Sequence, residues 1–204
     1  MEEKKTARLE AFSDGIFGVA ITLLAIEIGI EEYKGATNAN LWEKVVEQWP
    51  EYFTYFNSFA TVLLMWMGHN KIFDHLRKVN HWVILLNGVL LLFVVLFPFP
   101  TRLVGTFIGT DAQPMAVTVY AGFTGFISVS MLLLNVCIVN NKHLLISPEK
   151  SLPWLRNMMK GQIIGILVYE GAAVLAFYYS VPALIITFLM WVFWVIATMD
   201  DKEE

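Results

Sequence analysis

Cysteine is almost missing from this chain. Cys137 stands alone among 204 residues, so no disulfide closes within the chain and no cysteine pair offers metal or redox chemistry. Charge is scarce too. Only 16% of residues are charged, whereas a soluble domain carries about a quarter. Basic excess is also lacking: the net charge is −4, which removes any general case for nucleic-acid binding. No nucleophile with a spaced base, no metal cluster and no glycine-rich phosphate loop supports an enzyme. No internal repeat appears, so the inverted halves of many transporters are not in evidence.

What remains is hydrophobic. Apolar residues make up 57% of the chain, and six segments reach the length of about 20 mostly apolar residues that a membrane span needs. They lie at 11–30, 53–73, 82–104, 114–139, 161–180 and 182–199. The reading is an all-α protein, a single six-helix transmembrane domain over 1–204. The first segment follows Lys4, Lys5 and Arg8, as a signal peptide would. No small-residue cleavage site comes after it, so it is expected to stay as a span. Lys and Arg gather at the amino terminus, in the second loop (Lys71, Arg77, Lys78), in the fourth (Lys142, Lys150, Arg156, Lys160) and at Lys202. Lys34, Lys44 and Arg102 fall on the other side. This bias places both termini in the cytoplasm of a multi-pass cell-membrane protein.

The first loop is acidic, with Glu31, Glu32, Glu43, Glu47 and Glu51. Inside it Leu41, Trp42, Val45, Val46 and Trp49 recur at helical spacing, with Pro50 expected to end the helix. This reads either as a short helix on the outer interface or as one packed on the ends of its neighbours. Phe97-Pro98-Phe99-Pro100 is expected to kink or cap the third span. The turn-rich loop at 140–160 leaves room for a short surface helix before the fifth span.

The first span carries the informative pattern. Arg8, Phe12, Ser13 and Asp14 open it, and Val19, Leu23, Ile26 and Ile30 then fall on one face at about 100° per residue. Thr22 sits at the edge of that face, and Gly15 and Phe12 extend it inward. Asp14 points nearly the opposite way. A carboxylate at the start of a span seeks partners, because leaving it unpaired in apolar surroundings costs several kcal/mol. Arg8, His69, Asn70 and Asn87 are candidates, and Arg8, Ser13, Asp14, His69 and Asn87 can form a cluster at one depth. Glu170, midway along the fifth span, is a second intramembrane carboxylate.

Arg8-x-x-x-Phe12-Ser13-Asp14 at the head of the first of six spans, with Trp66-x-x-His69 on the second, resembles the transmembrane protein 175 family of potassium channels, and in particular its short prokaryotic members. The resemblance implies a homotetramer in the lipid bilayer, with no cofactor, in which the first helices line a pore for potassium. It implies an aliphatic constriction at Val19, Leu23 and Ile26 and a hydroxyl layer at Thr22. It also implies a buried hydrogen-bond network between the Phe12-Ser13-Asp14 motif and the second-helix histidine, His69. The motif and its structural network are read as Arg8, Phe12, Ser13, Asp14, Trp66, His69 and Asn87. The family's inner constriction is commonly isoleucine or leucine, and here it is the smaller Val19. The chain indeed has no Thr-Val-Gly-Tyr-Gly loop. Beside that implication, a ring of aliphatic side chains can stop ions by dewetting, and Glu27 with Ile30 would stand at the outer mouth. Two other classes compete: a proton-coupled transporter using Asp14, His69 and Glu170, and a membrane assembly protein without transport.

Overall fold

The computed structural model describes residues 2–26, 28–29, 33 and 35–199, and these residues are almost entirely helical. The order is α1 (Glu2–Ile26), α2 (Leu41–Glu47), α3 (Trp49–Asp74), α4 (His81–Leu96), α5 (Pro98–Phe107), α6 (Gln113–Asn140), α7 (Pro148–Ala176) and α8 (Ser180–Met199). A 3-10 turn, Lys142–Leu144, separates α6 from α7. Helices that place apolar groups in lipid must satisfy their own backbone, which is why a chain this apolar takes this form.

Five helical stretches are long and apolar enough to cross a membrane, with α4 and α5 counting together as His81–Phe107. The α3 helix has 26 residues, also enough to cross, but it is more polar. Its inward side explains this. Thr54, Asn57, Ser58, Thr61 and His69 are buried there among neighbouring helices. The long helices thus number six, with the polar one tucked in by its hydrogen bonds.

Two helix boundaries differ from the sequence expectation: α2 ends at Glu47, with Trp49 and Pro50 opening α3 instead of closing α2, and the helix of the fifth span starts earlier. The surface helix expected before the fifth span does not stand apart: α7 starts at Pro148 and runs unbroken to Ala176. Pro148 occupies a first-turn position, where its missing N–H costs nothing. Between α4 and α5 the helix breaks at the fully buried Phe97 and restarts on Pro98, the kink that the paired prolines foretell.

The α6 and α7 helices form the most intimate pair, α8 folds back on α7, and α3 lies against α1, α5 and α8. On the side of the amino terminus, two loops clasp each other. Arg77 N–H donates to Leu144 O at 2.9 Å, and Ile146 N–H to His75 O at 3.0 Å. Thr6 Oγ1 adds a 3.4 Å bond to Arg77 O, tying the start of α1 to the same clasp. The first helix itself packs on α3, α4 and, more lightly, α5, through the side that carries Phe17, Ala20 and Leu24.

Candidate functional site

The two sides of α1 differ sharply. Ser13, Phe17, Ala20 and Leu24 are buried at helical spacing and fix the packed side. Opposite them Arg8, Phe12, Gly15, Gly18, Val19, Thr22 and Ile26 are exposed, with Val19 at 53% and Ile26 at 74%. Thr22 therefore sits near the middle of the open face, and Leu23 is half-buried on its flank. The wheel drawn from sequence centred the face between Val19 and Leu23. The packing rotates it by roughly half a residue step toward Thr22. Glu27 and Ile30, expected at the outer mouth, lie outside the described residues.

The open face of α1 is richer in small residues than the exposed faces of α4, where Gly88 is the one exposed glycine, and of α8. The exposed residues of α4 include Trp82, Leu85, Val89 and Leu92, and those of α8 include Val181, Ile185, Leu189 and Val192. These are bulky aliphatic and aromatic groups, suited to lipid. On α1 the exposed series is interrupted by Gly15, Gly18, Thr22 and Ala25. Nothing within 4 Å would meet a Cβ at Gly15 or Gly18. Small residues and a hydroxyl on an open membrane helix suit close approach by other helices better than contact with lipid.

Behind the open face runs a directed hydrogen-bond chain. Ser13 Oγ donates to Leu9 O at 2.9 Å, so it accepts from Asn87 Nδ2, also at 2.9 Å. That leaves Asn87 Oδ1 as the acceptor for His69 Nε2–H at 2.8 Å. Ser13, His69 and Asn87 are all 0% exposed. The chain fixes the histidine as the Nε2–H tautomer, and among the described residues its buried Nδ1 has no partner. Phe17 and Phe73 flank the imidazole, with ring centroids at 5.4 and 4.3 Å. A separate bond, Trp66 Nε1–H to Asp14 Oδ1 at 2.8 Å, joins α3 to α1 beside it. Arg8 is not drawn into this cluster and stands exposed at the foot of the open face.

Sequence reasoning missed two further polar seams. Asn57 Nδ2 donates to Tyr120 Oη at 2.8 Å, and Thr101 Oγ1 donates to Ser58 Oγ at 2.7 Å, which joins α3, α5 and α6. The signal was the run Asn57-Ser58 with Thr61 inside a span. Asn135 Nδ2 reaches Gln162 Oε1 at 3.3 Å between α6 and α7. Gln162 also lines a cavity with Thr61, Ser128, Met131, Tyr169 and Trp191, and among the described residues neither Gln162 Nε2 nor Trp191 Nε1 has a hydrogen-bond partner. A buried donor without a partner costs about 1–3 kcal/mol. Trp191→Phe removes one such donor together with part of the ring that borders the cavity, so relief and lost packing oppose each other and its thermal midpoint in detergent is expected to stay close to the parent's. A clear drop would mean that water in the cavity already satisfies the indole.

Glu170 is apart from all this. It lies across the α6–α7 seam in the space that Gly125 leaves open, and among the described residues it has no hydrogen bond. Also among the described residues, no group of three His, Cys, Asp or Glu side chains could hold a metal ion.

Comparison with known proteins meets this geometry at the same residues. The family profile described as Endosomal/lysosomal potassium channel TMEM175 matches residues 8–98, the stretch from Arg8 through α4. Residues 8–98 are a TMEM175 family segment. Over the whole chain the fold is similar to a solved structure titled as a lysosomal potassium-selective channel TMEM175 homolog from Chamaesiphon minutus. The TM-score is 0.85 at 29% identity, covering 96% of this chain and 98% of that one. A curated potassium channel of Chamaesiphon minutus is 39% identical over 121 residues, which are 59% of this chain and 60% of that protein. A potassium channel of Streptomyces collinus is 35% identical over 118 residues, 57% of this chain and 56% of that protein. The human Endosomal/lysosomal proton channel TMEM175 is 37% identical over 93 residues, 43% of this chain and 18% of that protein. The matched part thus spans about 60% of the bacterial relatives' length. Each of these proteins is named an ion channel and none an enzyme, in line with the non-enzymatic reading of the sequence. The TMEM175 profile covers every residue of the hydrogen-bond chain and the whole open face of α1.

Proposed function

We propose that the chain forms a passive potassium channel of the cell membrane, a homotetramer with both termini in the cytoplasm. The open faces of four α1 helices surround the ion path. One helix cannot enclose a pore, and a pore on a symmetry axis needs several copies. The observation that carries this reading is the α1 face: exposed in a single chain, interrupted by glycines and a threonine, and unlike the bulky exposed faces of α4 and α8. Val19 and Ile26 form aliphatic rings that bar ions by dewetting until they widen. Thr22, between them, supplies hydroxyls that replace part of a cation's water shell. Leu23 backs the rings from the flank. Ser13, Asn87 and His69, with Asp14 and Trp66, hold α1 at a fixed rotation against α3 and α4.

Potassium is the favoured ion because the bacterial relatives, named potassium channels, share the longer stretch with this chain. The animal relatives are named proton channels, which gives proton conduction as the second reading. Against it, no titratable side chain lies on the open face of α1 between Phe12 and Ile26 among the described residues. The transporter alternative fares worse. Among the described residues no hydrogen bond joins Glu170 to His69 or Asp14.

The test is flux from liposomes holding the purified protein, together with the mass of the detergent complex. A potassium gradient alone is expected to drive current, and the complex is expected at four times 23.2 kDa. Flux that requires a proton gradient, or full flux from a monomer, would overturn the proposal.

A further inference from the structure

The short helix α2 leaves its apolar groups unpartnered. None of its residues is buried, and Trp42 is 76% and Val46 52% exposed. These two stand one turn apart on one side of the helix. Gln48, on the other side, is buried. Glu43 and Glu47 flank the apolar side and are exposed. The apolar band continues into α3 through the exposed Trp49 and Phe56, seven residues apart and so on one face.

The position of α2 says what covers the band. It lies between the end of one membrane helix and the start of the next, at the boundary between hydrocarbon and water. Tryptophan concentrates in that layer because its ring is apolar and its N–H is polar. A second copy of the chain is a poorer partner. Two or three side chains fall far short of the roughly 800 Å² per partner of a stable protein interface. The acidic flanks of α2 would also be crowded together.

The α2–α3 junction is also fastened to the end of α1. Gly29 N–H donates to Glu51 Oε2 at 3.0 Å, and Gln48 Nε2 donates to Gly29 O at 3.4 Å. Tyr33 Oη bonds both Gln48 Oε1 and, at 2.8 Å, Tyr52 Oη. Both backbone groups of one glycine, three residues beyond α1, are thus held by the two side chains that follow α2.

We propose that α2 is an anchor in the lipid headgroup layer, and that Gln48 and Glu51 carry its position to the end of α1. The second half rests on the pore reading above; the first does not. In the headgroup layer Trp42, Val46 and Trp49 point toward acyl chains, and Glu43 and Glu47 toward water. Moving the anchor then moves the end of the helix whose rotation sets the pore.

The experiment places a nitroxide on Val46→Cys in a Cys137→Ala background, full chain, in phosphatidylcholine–phosphatidylglycerol vesicles. Relaxation by oxygen and by a water-soluble nickel chelate is then compared. The anchor predicts strong oxygen and weak nickel relaxation, as for a control label on the exposed Leu189. Strong nickel relaxation would place α2 in water. Weak relaxation by both would mean that another protein surface covers it. Either result overturns the proposal. If Val46→Cys folds poorly, the label goes on Trp42→Cys with the same expectations. Adding Trp42→Glu to the Val46-labelled chain is expected to abolish the oxygen preference and to change resting potassium flux. A lost oxygen preference with unchanged flux would overturn the link to α1. Absence of flux from the parent would instead defeat the pore reading, with the label's result still deciding where α2 lies.

Discussion

Serine in place of Ile26 is expected to raise resting cation current by about tenfold or more, since each 1.4 kcal/mol taken off a barrier is worth about tenfold in rate. Ile26 is the most open large hydrophobic side chain of α1, at 74% exposure. Four isoleucines around an axis exclude water, and four serines admit it. Leu23→Ser is expected to raise current less, because Leu23 is half-buried on the flank of the open face. Thr22→Val keeps side-chain size and removes the hydroxyl, so the conductance persists and the preference for potassium over sodium falls. The order Ile26 above Leu23 is the informative result. The reverse order in single-channel records would mean that α1 is rotated from the face described, and equality with the parent in all three would remove α1 from the ion path.

Asn87→Leu is expected to be the most destabilising single change in the chain that binds α1 to its neighbours. It strands the fully buried His69 Nε2–H at one end, and at the other it removes the bond that Ser13 Oγ accepts, while Ser13 keeps its own bond to Leu9 O. With about 1–3 kcal/mol for the stranded donor and about 1 kcal/mol for the lost bond to Ser13, the loss is roughly 2–4 kcal/mol before any packing gain. Ser13→Ala strands only Asn87 Nδ2 and should lose about half as much. Trp66→Phe breaks a single bond to the half-buried Asp14, a loss of about 1 kcal/mol. Thermal unfolding of the purified variants in one detergent ranks them. If Trp66→Phe proved the worst, Asp14 would be the keystone instead of the buried amide.

Much of this architecture can be read from residues alone, for a physical reason. Lipid demands long apolar helices, so the spans show in composition. Pro98 breaks the third span where the ring must, and Ser13, His69 and Asn87 are conspicuous because polar groups are costly in that setting. What sequence leaves open is which neighbours those groups choose. Asp14 looked like a partner for Arg8 or His69, yet takes the indole of Trp66, because Trp66 lies on the side of α3 facing α1 and Arg8 lies on the open face. The seam through Asn57, Ser58, Tyr120 and Thr101 depends on three helices meeting, which no local pattern encodes. The start of α7 at Pro148 was hidden because the turn-rich residues Ser147-Pro148 and Pro153 can also begin a helix. The rotation of α1 escaped an ideal wheel for a related reason. Phe17, Ala20 and Leu24 bury themselves against α3 and α4, and that packing decides the angle.

Blocking the path at one atom tests the account most directly. Val19→Cys in a Cys137→Ala background places a thiol on the open face of α1, and Leu189→Cys places one on the bulky exposed face of α8. A small thiol-reactive cation is applied to purified channels in a bilayer, and the mass shift records how much of each thiol has reacted. The account predicts that modification at Val19→Cys abolishes potassium current, while Leu189→Cys leaves it intact. Complete modification at Val19→Cys with potassium current unchanged would contradict it.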